Sequence, residues 1–137
     1  MSNGAVLILG GRSDIGLAIA QVYASEGHAV QLAARNVETL EGDKTDIALR
    51  HGVEVSLHEF DALDVESHEA FVSGLPVLPE TVVCAVGALG EQEDSEQNHA
   101  TARMVMRSNF EGPANILAVL ANAFETRGSG VIIGISS

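Results

Sequence analysis

Leu9-Gly10-Gly11-Arg12-Ser13-Asp14-Ile15-Gly16 is the stretch on which the fold of this chain turns. It follows a short apolar run at 5–9. It opens a segment, 15–26, in which Ile15, Ile19, Val22 and Tyr23 recur at helical spacing until Gly27 stops it. A strand that turns on glycine directly into a helix has a specific use. Gly10 permits the tight turn, and Gly16 lets the helix approach the sheet and leaves room for a bound group. The unpaired N–H groups at the helix start, with the positive end of its dipole, favour phosphate. A plain strand-to-helix connection could use the same glycines, so the surrounding pattern has to decide.

That pattern alternates. After the first strand and helix, 29–34 reads as a second strand and 37–51 as a polar helix weakened by Gly42. Residues 53–59 alternate as a third strand. Residues 66–73 form a short helix ended by Gly74 and Pro76, and 81–86 is a fourth strand. An acidic loop follows at 91–97. A long helix is expected over 100–126, with a stripe of Ala102, Met106, Phe110, Leu117, Leu120 and Phe124. Pro113 lies inside it and is expected to bend it or cost a hydrogen bond. Residues 131–135 are a last strand. The order predicts an α/β domain of the doubly wound, Rossmann type: a parallel sheet of about five strands with helices on both faces.

Composition agrees. The 137 residues suit one domain, 46% of them hydrophobic and only 4% aromatic, so Val, Ile, Leu and Ala must build the core. The formal net charge of −12 argues against nucleic acid or an anionic membrane as partner. No signal segment and no apolar run long enough to span a bilayer is visible, and the single Cys84 cannot form an internal disulfide. A cytoplasmic location is expected.

In such a domain the glycine turn receives the pyrophosphate of a dinucleotide. The end of the second strand then chooses the cofactor. An acidic residue there binds the ribose 2′-hydroxyl of NAD. Here Val30-Gln31-Leu32-Ala33-Ala34 runs into Arg35, and Arg12 stands in the glycine turn. Guanidinium groups pair with a 2′-phosphate where a carboxylate would repel it. The expected cofactor is therefore NADP(H), with NAD(H) less favoured. Both arginines could instead be ordinary surface cations.

Taken together, these residues resemble the short-chain dehydrogenase/reductase family. Gly10, Gly11, Ser13, Ile15 and Gly16 match its Thr-Gly-x-x-x-Gly-x-Gly turn, with Leu9 in place of Thr and Asp14 in place of the middle Gly. Asp14 either turns outward or caps the helix. Asp61 and Ala62 fall where the family receives adenine. Cys84-Ala85-Val86-Gly87 occupies its Asn-Asn-Ala-Gly motif, in which Ala85 and Gly87 fit best and Val86 completes the stretch. Asn109 matches the helix asparagine of the catalytic tetrad, and Ser137 the catalytic serine. Residues 32–36 and 128–137 further resemble a subgroup related to decaprenylphosphoryl-ribose keto-reductases.

The resemblance implies an oxidoreductase that interconverts a small-molecule carbonyl and a secondary alcohol, assembled as a homo-oligomer through the 98–126 helix. The Tyr-x-x-x-Lys pair of the family is not present: Tyr23 and Lys44 are the only residues of their types. On the resemblance, 1–137 is expected to be a dinucleotide-binding domain truncated before that pair and inactive alone. The alternative is a non-catalytic dinucleotide-binding module. The five histidines have no metal-ligand spacing, so no metal site is expected.

Overall fold

The computed structural model describes residues 4–86 and 111–135. Five strands form one parallel sheet: β1 (Val6–Leu9), β2 (Val30–Ala34), β3 (Val55–Glu59), β4 (Thr81–Cys84) and β5 (Val131–Gly134), in the order β3-β2-β1-β4-β5. Among the described residues four helices connect them: α1 (Asp14–Ser25), α2 (Glu41–His51), α3 (His68–Ser73) and α4 (Gly112–Arg127). Single 3-10 turns, Val37–Leu40 and Val65–Ser67, lead into α2 and α3. The expected doubly wound architecture is what forms.

The strands are parallel because a helix returns the chain to the same end of the sheet after each one. From β1 the chain steps outward through β2 to β3. It then crosses back to place β4 on the other side of β1. The reversal falls between β1 and β4, where Leu9 pairs with Cys84, and leaves a crevice at the carboxyl ends of these strands.

Alternation along the strands divides the core. Val6, Ile8, Val30, Leu32 and Val83 face α1 and α2. Leu7, Leu9, Ala33, Val82 and Cys84 face the other side, where Ile116, Leu120 and Phe124 of α4 cover them. Two expected stripes hold in part: Ile19 and Tyr23 of the first pack against the core, and Leu120 and Phe124 of the second are buried. On α1 the buried residues are Gly16, Ala20 and Ala24, while Ile15 and Val22 are more than half exposed. Small side chains face the sheet because the helix rides close to it, and larger ones lie to the flank. On α4 the buried row is Gly112, Ile116, Leu120 and Phe124, with Leu117 only partly buried.

Pro113 lies near the start of the described part of α4, with Pro at its first or second position and Glu111 before it also in helical geometry. The expected 91–97 loop, and the helix expected over 100–110, lie outside the described residues. No helix among the described residues is long and apolar enough to cross a membrane.

Candidate functional site

The crevice is lined first by the glycine turn. Gly10 has φ +89°, a conformation open mainly to glycine. A Cβ there would meet the Ala85 carbonyl carbon and oxygen at 2.9 Å, across the switch point. Gly16 is held as closely: its Cβ would stand 2.5 Å from the Gly10 carbonyl oxygen. Gly16 therefore lets the turn fold back on itself, besides letting α1 approach the sheet. Ser13 completes the lock. Its hydroxyl donates to the Gly10 carbonyl at 3.0 Å and accepts from the Gly16 N–H at 2.9 Å.

Ser13, not Asp14, is thus the N-terminal cap of α1. Asp14 is the first helical residue and exposed, so its carboxylate stays in solvent beside the helix's positive end. Ile15, next in line, is exposed at the same end. The N–H groups of this first turn have no preceding turn of helix to bond. A group with phosphate charge fits the cradle: glycine surfaces, a helix start and no room for a Cβ.

The turn after β2 lies alongside. The Arg12 guanidinium donates to the Arg35 backbone carbonyl at 3.3 Å, which brings both cations to one rim. Both are exposed, and the Arg35 guanidinium has no partner among the described residues. The other arginines among the described residues are engaged elsewhere: Arg50 pairs with Asp46 at 3.1 Å, and Arg127 donates to the Leu78 and Pro79 carbonyls. Asn36 follows Arg35 at φ 52°. The Glu59 carboxylate holds that bend by accepting the Asn36 and Val37 N–H groups at 3.0 and 3.1 Å. Sequence reading missed Glu59, because its partners lie 22 and 23 residues away.

Asp61 and Ala62 form the turn after β3. The Asp61 carboxylate accepts the Leu63 N–H at 2.9 Å, and Ala62 packs against Gly112, whose Cβ would lie 2.5 Å from the Ala62 carbonyl oxygen. Ala85 and Val86 follow β4 at the crevice floor, where the Ala85 N–H donates to Leu9 at 2.8 Å. Burial pushes the neighbouring Cys84 thiol above its ordinary range, although the Val86 backbone opposes this. The structure thus brings Gly10, Arg12, Ser13, Asp14, Ile15, Gly16 and Arg35 to one edge, with Ala85 against Gly10. Gly87, Asn109 and Ser137 lie outside the described residues. Among the described residues, no group of three His, Cys, Asp or Glu side chains could hold a metal ion.

Comparison with known proteins fits this geometry. The short chain dehydrogenase family model matches residues 4–137. An uncharacterised oxidoreductase of Mycobacterium tuberculosis is 34% identical over 137 residues, covering 96% of this chain and 54% of the relative. A 3-dehydrosphinganine reductase of Arabidopsis thaliana is 30% identical over 123 residues, covering 89% of this chain and 37% of the relative. The chain spans about half the length of the first of these and about a third of the second. Among solved structures, a short-chain type dehydrogenase/reductase of Mycobacterium ulcerans superposes with a TM-score of 0.83 at 21% identity, over 100% of this chain and 53% of that one. An actinorhodin polyketide ketoreductase variant with NADPH gives 0.82 at 27% identity, over 100% and 55%.

Proposed function

The chain belongs to the short-chain dehydrogenase family, and from that premise we propose that it forms the NADP(H)-binding part of a reductase interconverting a carbonyl and a secondary alcohol. The family uses nicotinamide dinucleotides, and the bound cofactor supplies the hydride. One observation carries the choice of cofactor: Arg12 reaches Arg35 at the edge of the glycine turn, and the Arg35 guanidinium has no partner among the described residues. Two cations at that rim are suited to a 2′-phosphate. In this reading Gly10, Ser13, Ile15 and Gly16 seat the pyrophosphate. Asp61 and Ala62 receive adenine, while Ala85, Val86 and Gly87 line the crevice floor. Asn109 supports a water in proton relay, and Ser137 holds the substrate oxygen.

The substrate is proposed only as a small carbonyl or alcohol. The likeness to decaprenylphosphoryl-ribose keto-reductases rests on residues 32–36 and 128–137 alone. Self-assembly and a cytoplasmic location belong to the same reading. Titration with 2′,5′-ADP and 5′-ADP tests the cofactor choice. The 2′-phosphate should tighten binding by about tenfold or more; equal affinities would sink the assignment.

A second reading has its own support. The only Tyr and the only Lys of these 137 residues stand on α1 and α2, apart from the crevice. Without a positioned acid, hydride transfer lacks about 10²–10⁴-fold of its usual assistance. The purified 137-residue chain is therefore expected to bind nucleotide without turning over. Steady reduction of a ketone by that chain would contradict this.

A further inference from the structure

We propose that His68 and Asn115 are positioning residues that fix the adenine end of the nucleotide seat by bolting the turn after β3 to α4. The inference rests on the nucleotide-binding reading above. His68 is wholly buried, yet it is a polar side chain in an apolar layer. Its Nε2 lies 3.1 Å from the Asp61 carbonyl oxygen. A carbonyl can only accept, so Nε2 carries the hydrogen and donates. The other ring nitrogen, Nδ1, then accepts from the Asn115 amide at 2.6 Å. The same amide donates to the Val65 carbonyl at 3.2 Å, which fixes which end of the amide faces the ring.

The chain of bonds therefore runs in one direction, from Asn115 on α4 through His68 on α3 to the Asp61 backbone. Two further contacts hold the same turn. The Phe60 ring lies 5.2 Å from the imidazole, centroid to centroid, and Gly112 lets α4 come within contact of Ala62. Leucine at position 68 would fill this space with no polar group to satisfy. A buried imidazole is stabilising only if both nitrogens are bonded, as they are here. What the imidazole adds over leucine is direction: it sets where the carbonyl of Asp61, and hence the backbone of Ala62, stands.

This placement differs in kind from that of Arg12 and Arg35. It concerns the part of the ligand common to NADPH and NADH, so its loss should affect both alike. The test uses His68→Leu, His68→Gln and Asn115→Leu, with thermal unfolding to show that each variant folds. His68→Leu should weaken NADPH and NADH by the same factor, about tenfold, and leave their ratio unchanged. His68→Gln, whose Nε2 can still donate to the Asp61 carbonyl, should stay within about threefold of the parent. In the free chain, amide exchange at Leu63 should quicken about fivefold or more in His68→Leu and in Asn115→Leu.

Unchanged exchange at Leu63 would overturn the proposal whatever the binding data show. So would a loss confined to NADPH, or a glutamine variant as weak as the leucine one. If the parent chain binds neither nucleotide, the cofactor reading falls, and the exchange measurement still decides whether His68 and Asn115 hold the turn.

Discussion

The turns after β1 and β2 lie side by side at the carboxyl end of the sheet and are built on opposite principles. The first is an interlock. Neither glycine has room for a methyl group, Gly10 because of Ala85 and Gly16 because of Gly10 and Ser13, and Ser13 bonds both. The second is a rim of exposed charge, shaped by a left-handed Asn36 that the Glu59 carboxylate grips from β3. In the proposed function the first turn would accept a phosphate by its shape and by helix N–H groups. The second bears only on what the ribose carries. On that proposal, shape would admit the ligand and charge would select between ligands.

Breaking the interlock should have the largest effect. Gly10→Val combines a positive φ with a clash against Ala85, and is expected to cost at least about 2 kcal/mol of stability and to abolish binding of both nucleotides. Calorimetric unfolding and nucleotide titration would check it. Breaking the rim should act differently. Arg35→Asp is expected to weaken NADPH by about 10–100-fold, the value of a lost charge-assisted contact plus repulsion, with NADH nearly unchanged. Equal losses for both would mean that the rim does not select.

Arg12→Ala should do less, about three- to tenfold on NADPH, because it removes one screened charge and adds no repulsion. Repeating that titration at high salt should shrink the difference. The smallest effect is expected away from both turns. Burial holds the His58 imidazole below its ordinary range, so the unfolded chain takes up a proton before the folded one does. Stability should be fully present above the ordinary histidine value near 6.5 and fall as pH drops through it towards the folded value. Urea midpoints at pH 7.5 and 5.5 should show a larger drop in the parent than in His58→Gln, with the NADPH-to-NADH ratio unaltered. A flat parent profile would remove the claim.

Much of this contrast was legible in the sequence, and the reason is locality. The glycine turn is eight contiguous residues, and Arg35 is simply the residue after a strand. The alternation of strands and helices needed only periodicity. What the sequence left open depended on facing surfaces. Ser13 and Asp14 are both good caps one residue apart, and only the bond from the Gly16 N–H separates them. On α1, large apolar residues suggested a buried stripe, but the small ones lie against the sheet. His68 and Asn115 are 47 residues apart, and no local pattern joins them.

Paired titrations of the parent chain with NADPH and NADH at one ionic strength test the central claim most directly. The account predicts saturable binding of both, with NADPH at least about tenfold tighter. Absence of binding, or equal affinity for the two, would contradict it.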